Sequence, residues 1–278
     1  MSLEQYKKKV TSQWGEDGII QEIFRRIGIG NKLCVEIGAW DGKHLSNTWN
    51  LWHNEGWSAV LVEGDSKKVK GLEKIVQQFT KVIPYCAFVR KFGKDSIDSI
   101  LEIKIRDKKI DLMSIDIDGD DYYLFQSIEK YLPRVLVIEY NPTVPAAMSL
   151  VQAEGESFGA SARALCDLAK QKGYALVAIT PTNLFFVINT EFGKLHMEAP
   201  RLEEIFKPDF VVNMFVSFDG RAVVTSYPNL FMVKPRHSSS IEFSSPNNFV
   251  PVRVSIIQSL FESIQRKLRM RRKYLEQH

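Results

Sequence analysis

Through its first two thirds the 278-residue chain alternates short, almost wholly apolar, β-branched runs with longer amphipathic ones. Runs such as Leu33–Ile37, Ala59–Val62 and Val135–Ile138 lack the polar alternation of a half-exposed strand, so they suit strands buried on both faces. Strand expectations are Lys32–Ile37, Ser58–Val62, Lys81–Ala87, Ile110–Ile115, Val135–Glu139, Ala175–Thr180 and Leu184–Ile188. Helical periodicity fills the gaps at Glu16–Arg26, Thr48–Asn54, Ser66–Gln78, Ser96–Lys104, Tyr122–Lys130 and Ser161–Gln171. Such alternation implies a mainly parallel sheet with right-handed crossovers and helices on both faces. The last two strands break the pattern. Only Pro181, Thr182 and Asn183 separate them, too few for a crossover, so they form an antiparallel hairpin.

After about Asn189 this regularity fades. A short helix is expected around Leu202–Phe206, then strand-like Phe210–Phe218 and Ala222–Tyr227 about a turn at Asp219-Gly220. A Ser/Pro/Asn-rich loop follows, His237–Asn248, and Val254–Leu268 has the apolar spacing of an amphipathic helix. The expected organisation is a core of residues 1–190, an appended β-rich and loop segment 191–250, and a basic helix 251–278.

Composition excludes fibrous, disordered and membrane-spanning classes: 45% hydrophobic, 25% charged, and no apolar run near the ~20 residues of a membrane helix. The charged N-terminus has no apolar stretch of a secretory signal. The three cysteines, Cys34, Cys86 and Cys166, form no CxxC and sit in apolar stretches, as reduced structural thiols of a cytoplasmic protein do. Six basic residues crowd into Arg266–Lys273, and without them the net charge falls from +4 to −2. Nucleic acid is therefore not an expected partner, since no basic footprint covers the body. The basic helix allows a peripheral contact with an anionic membrane, or packing on the body or on a second copy in a homo-oligomer.

Four motifs close the first, second, fourth and fifth strands. Glu36-Ile37-Gly38-Ala39-Trp40-Asp41-Gly42 follows the first. Gly38 and Gly42 are four apart with no third glycine, so the GxGxxG pyrophosphate cradle of nicotinamide enzymes is disfavoured. Glu63 closes the second strand 27 residues after Glu36, where a carboxylate accepts ribose hydroxyl protons. Asp116-Ile117-Asp118-Gly119-Asp120-Asp121 closes the fourth. It is no EF-hand, because Asp121 stands where glycine is needed and Ser127 where the bidentate Glu belongs. The helix dipole accounts for acids at Asp120 and Asp121, and leaves Asp116 and Asp118 for a ligand. Glu139 closes the fifth strand, completing a row of carboxylates along the edge where open α/β sheets bind ligands.

Together these motifs resemble the FkbM-like branch of class I S-adenosylmethionine (SAM)-dependent methyltransferases, over about Ser12–Ile188. The likeness lies in Ser12–Asp17, in Glu36–Gly42 followed by Ser46-Asn47-Thr48, in the Glu63 acid, in Ile115–Gly119, and in Gly159–Val187. Where that family has Asp-x-Glu-Gly after the fourth strand, this chain has Asp116-Ile117-Asp118-Gly119, one carbon shorter. The resemblance implies a Rossmann-like class I methyltransferase fold, a seven-stranded mainly parallel sheet with an antiparallel last strand. It also implies SAM as cofactor, held by Glu36, Gly38, Ala39, Trp40, Asp41, Gly42, Asn47, Glu63, Ala87 and Asp116. The implied activity is methyl transfer to a hydroxyl of a saccharide or other small molecule. Asp116 is the first choice for the base that takes the hydroxyl proton, Glu139 the second and His44 the third. No metal is required, though Asp116, Asp118 and Glu139 offer oxygens to a divalent cation such as Mg²⁺. The alternative is a methyltransferase-like module that binds SAM or its product without transfer, in glycan assembly.

Overall fold

The computed structural model describes residues 2–211 and the strands Met214–Val216, Ala222–Val224 and Val250–Val252. Seven strands build the main sheet: β1 (Leu33–Ile37), β2 (Ser58–Glu63), β3 (Val82–Cys86), β4 (Leu112–Ile115), β5 (Val135–Glu139), β6 (Tyr174–Ile179) and β7 (Asn183–Ile188). Their order is β3-β2-β1-β4-β5-β7-β6. β1 to β5 run parallel, and β7 lies antiparallel to both β5 and β6. The hairpin expected from the three-residue spacing is there, and its second strand is inserted between β5 and β6.

Helices cover both faces. The even-numbered positions of β1, Cys34 among them, face a layer containing α1 (Glu16–Ile27), the π-helix Asn50–Asn54 and α2 (Ser66–Val76). The odd positions Leu33, Val35 and Ile37 face α3 (Ile97–Lys104), α4 (Asp121–Ser127) and α5 (Ala162–Gln171). Caps set the helix starts: Asp65 accepts from Lys67 N, Ser96 from Ser99 N, and Ser161 from Ala164 N. α4 stops at Ser127, three residues short of the expected Lys130. The Asp98 carboxylate of α3 captures the N–H groups of Glu129, Lys130 and Tyr131 and draws the chain out of the helix. The expected helix Thr48–Asn54 is a π-helix over Asn50–Asn54, and just before it the Ser46 hydroxyl accepts the N–H groups of Thr48 and Trp49.

Beyond β7 the chain packs back through Leu195 and Leu202, both buried, the latter in the short helix Leu202–Ile205. The chain divides into two compact units, Met1–Pro208 and Asp209–His278. In the second, Met214–Val216, Ala222–Val224 and Val250–Val252 form a three-stranded antiparallel sheet. The expected loop His237–Asn248 and helix Val254–Leu268 lie outside the described residues. Among the described residues no helix is long and apolar enough to cross a membrane. All three cysteines are free, and Cys86 is exposed rather than buried like Cys34.

Parallel order reverses between β1 and β4, which lie side by side while their crossovers leave in opposite directions. There Gly38 (φ +89°) leaves β1 directly against the Asp116 carbonyl, and a Cβ at Gly38 would stand 1.8 Å from that oxygen. The glycine serves the approach of two protein loops. Gly38→Ala combines left-handed strain of about 1–2 kcal/mol with overpacking of about 1–3 kcal/mol. Gly56→Ala, also at positive φ (+70°) but with nothing within 4 Å, carries the strain alone. Urea unfolding of the two variants should show the larger loss for Gly38→Ala.

Candidate active site

Strand alternation decides which side the acids occupy. Cys34, Leu61, Leu112 and Val137 all face the α1 layer. Glu36, Glu63 and Glu139 share their parity, and Asp116, one residue past β4, continues it. All four carboxylates therefore stand at the carboxyl edge of the sheet on one side of the switch point.

Glu36 is buried, and the loop after β1 closes over it. Ser46 Oγ (2.7 Å), Asn47 N (3.0 Å) and Thr48 Oγ1 (2.8 Å) all donate to its carboxylate. Burial nevertheless pushes its pKa up to about 7, against those three hydrogen bonds. Asn47 is pinned at both ends, its Nδ2 donating to Ser114 Oγ at 3.0 Å. Its side-chain oxygen Oδ1 is buried with no donor in reach. An orphaned buried acceptor in the loop that closes over Glu36 is a place for a ligand that brings N–H groups.

Glu63 reaches back from β2 to the same loop. Its two oxygens each take one backbone N–H, from Trp40 (2.8 Å) and Asp65 (2.8 Å). A carboxylate has about four lone-pair sites, so each oxygen keeps one for a further donor. Trp40 is held in the left-handed region (φ +47°), half-exposed, with Lys68 Nζ 3.9 Å over its ring. Ala39 is buried, Ala87 packs at the end of β3 with its N–H on the Glu63 carbonyl, and Gly42 turns against Leu72 of α2. Asp41 caps its own turn, accepting Lys43 N and His44 N on one oxygen, Oδ1. His44 is exposed, with its ring tilted against Trp40 at 5.5 Å. Of the remaining tryptophans, Trp52 and Trp57 are core.

The four aspartates after β4 divide by their partners. Asp121 accepts Ile117 N and Gly119 N, fixing the turn, and Asp120 accepts Gly155 N and Gln152 Nε2, tying in the loop after β5. These acids bind backbone and a neighbouring loop, which the helix dipole alone did not indicate. Apart from the hydrogen bond that Asp116 and Glu139 make with each other, no N–H or O–H donor of the described residues reaches Asp116, Asp118 or Glu139. One oxygen from each lies within 4.8 Å of the other two. Burial first, then the neighbouring acids, drives Asp116 up to about 8 and Glu139 well above the ordinary carboxylate value. Two such carboxyls retain a proton between them near neutrality. Asp118 holds positive φ (+59°) for a non-glycine residue, as do Trp40 and Leu45, so three of the six such residues among those described lie in the two loops at the switch point.

What spacing alone missed is the set of residues that hold the acids, Ser46 and Thr48 on Glu36 and Gln152 on Asp120, and Ser114, which accepts from Asn47. The usable signal for the first set was the Ser-Asn-Thr tripeptide, whose short polar side chains suit a buried carboxylate.

No protein-family model matches the chain, and no curated protein matches it in sequence. Among solved structures, the N-terminal domain of EvdMO1, determined in the presence of SAH and D-fucose, is 12% identical over 62% of this chain and 81% of that one, with a TM-score of 0.42. A SAM-dependent methyltransferase from Aquifex aeolicus is 9% identical over 60% and 87%, with a TM-score of 0.38. The CurJ carbon methyltransferase is 8% identical over 62% and 52%, with a TM-score of 0.43. The strand order observed here, with its single reversed strand, is that of the seven-stranded, mainly parallel Rossmann-like sheet expected from the sequence.

Buried acids with raised pKa values make stability fall as pH rises. Glu36 (about 7), Asp121 (about 6) and Asp116 (about 8) contribute fully below the ordinary carboxylate range near 4, and lose that contribution as pH passes through about 6–8. Melting temperature should therefore drop between pH 5 and pH 8.5, and Glu36→Gln should flatten part of the drop. A wild-type profile flat across that window would mean the acids are ionised throughout.

Proposed function

We propose that this chain is an FkbM-like SAM-dependent O-methyltransferase that moves a methyl group from S-adenosylmethionine to a hydroxyl of a saccharide or another small molecule. The observation that carries the reading is the Asp116–Glu139 carboxyl pair, which has no donor but its own, together with the unpartnered buried acceptor of Asn47. The residues fit the cofactor: Asn47 Oδ1 is an orphaned buried acceptor, and Glu63 has one lone pair left on each oxygen. SAM supplies an activated methyl on a sulfonium, so the protein's part is alignment and proton removal.

Glu63 would accept the ribose hydroxyls with its remaining lone pairs, and its bond to Trp40 N sets the loop after β1. Asn47 Oδ1 would accept from the amino-acid end. Glu36 would stay behind Asn47, holding its backbone N–H rather than touching the ligand. At the acceptor, Asp116 would take the hydroxyl proton, with Glu139 sharing the charge. His44 stands on the exposed side of Trp40 and remains the third candidate for that proton.

A divalent cation is the second reading, favoured by the three carboxylate oxygens within 4.8 Å of one another. Asp116, Asp118 and Glu139 would hold Mg²⁺ through hard oxygen ligands, and the ion would orient and acidify a diol.

Calorimetric titration with S-adenosylhomocysteine tests the cofactor. Micromolar binding is expected, weakened by ~1–3 kcal/mol in Glu63→Ala, the scale for buried polar partners left unpaired. Asp116→Asn should keep that affinity within about twofold and lower transfer to a saccharide panel by about 10²–10⁴, the usual share of a general base. No binding at millimolar ligand overturns the reading. Binding with no transfer to any acceptor favours a module that holds the cofactor without reacting. Transfer lost on chelation and restored by Mg²⁺ establishes the metal.

A further inference from the structure

Asp17, in the first turn of α1, is buried and bonded in a lopsided way. Its Oδ2 accepts the N–H groups of Val10 (2.8 Å), Thr11 (3.0 Å) and Ser12 (3.0 Å) and the Ser12 hydroxyl (2.5 Å). The Ser12 hydroxyl oxygen in turn accepts Asp17 N at 3.1 Å. Its other oxygen, Oδ1, is buried without a donor. One oxygen thus gathers three successive residues of an otherwise irregular strap.

That strap lies on the cofactor loop. Ser12 bridges to Leu45 in parallel, and Thr11 Oγ1 donates to the Ser46 carbonyl at 3.2 Å. The next links are those already described, from Ser46, Asn47 and Thr48 to Glu36, and from Asn47 Nδ2 to Ser114. A continuous hydrogen-bonded path therefore runs from the start of α1 to the switch point. The loop needs such support, since Leu45 is held at φ +56° and the Glu36 carboxylate that closes it is disfavoured by burial and by the charge of Asp17 itself. Neither cofactor nor acceptor contact accounts for four donors on one distant oxygen.

We propose that Asp17 is a positioning residue, which through the Val10–Ser12 strap holds Leu45–Thr48 in the conformation that leaves Asn47 Oδ1 free for the cofactor. The inference rests on the SAM reading above for its ligand and on the hydrogen bonds alone for its mechanics.

The test uses the full chain with Asp17→Asn, Thr11→Val and the double variant. Thr11→Val removes only the strap-to-loop bond at a partly buried position, so it keeps the question open if Asp17→Asn fails to fold. Two readouts are taken: S-adenosylhomocysteine affinity, and amide hydrogen exchange at Asn47, Thr48 and Trp49. Asp17→Asn is expected to weaken binding about tenfold and Thr11→Val about threefold, with the double variant no weaker than Asp17→Asn, because both act through one path. Exchange at the three amides should accelerate in both variants while the β4 and β5 amides keep their protection. Unchanged affinity and unchanged loop exchange in the two single variants overturn the proposal, as does a double variant whose losses simply multiply. If the wild-type chain does not bind S-adenosylhomocysteine, the cofactor reading falls by itself. Loop exchange then decides: acceleration in Thr11→Val and Asp17→Asn supports positioning, and unchanged protection ends it.

Discussion

Two loops can meet at the centre of this sheet because Gly38 carries only hydrogens where it passes the Asp116 carbonyl. A side chain there would separate the end of β1 from the end of β4, and with them the two halves of the carboxylate row. Asp116 N donates to the Ile37 carbonyl at 3.0 Å, so the contact extends the sheet's own ladder by one step past the last paired strand residue. The loop over Glu36, the turn fixed by Asp121 and the Asp116–Glu139 pair are all built outward from this point.

Around it, carboxylates are handled in two ways. Glu36, Glu63, Asp120 and Asp121 are surrounded by donors from backbone and hydroxyls, and they behave as struts between loops. Asp116 and Glu139, half-buried, are given only each other, while Asp118 beside them is exposed. Burying a carboxylate without a donor costs several kcal/mol if it stays charged. A fold that leaves this pair together while satisfying its neighbours has kept capacity for a donor or cation in one place. That division separates architecture from chemistry within a single stretch of six residues.

Much of this was legible in the sequence, and for definite reasons. Buried parallel strands need continuous apolar runs, and three residues cannot carry a crossover, so sheet and hairpin followed from Leu33–Ile37 and Pro181–Asn183. The row Glu36, Glu63, Asp116, Glu139 was legible because strand ends are sharp and parity is strict. Less visible were effects that depend on distant partners. Periodicity extends α4 to Lys130, but Asp98, some thirty residues earlier, takes its last N–H groups. The role of Asp41 depends on which N–H groups its turn presents, and the strap on Asp17 has no periodicity at all. The acceptor is not written in any of these residues, because the acids specify a proton and a charge rather than a shape.

The place of β7 has a consequence for how the chain is made. The strand formed last in sequence lies inside the sheet, between β5 and β6, rather than at its margin. While residues up to about 180 emerge during synthesis, β1 to β5 can pair, yet β5 must present an unpaired row of N–H and C=O groups on Val135–Glu139. That run is apolar, β-branched and buried in the finished protein, the composition most prone to pairing with another chain. Because synthesis adds only about 5–20 residues per second, the exposed edge persists for seconds before Asn183–Ile188 arrives to cover it. The interval between the fifth strand and the seventh is thus the stretch of synthesis in which this edge is open to another chain.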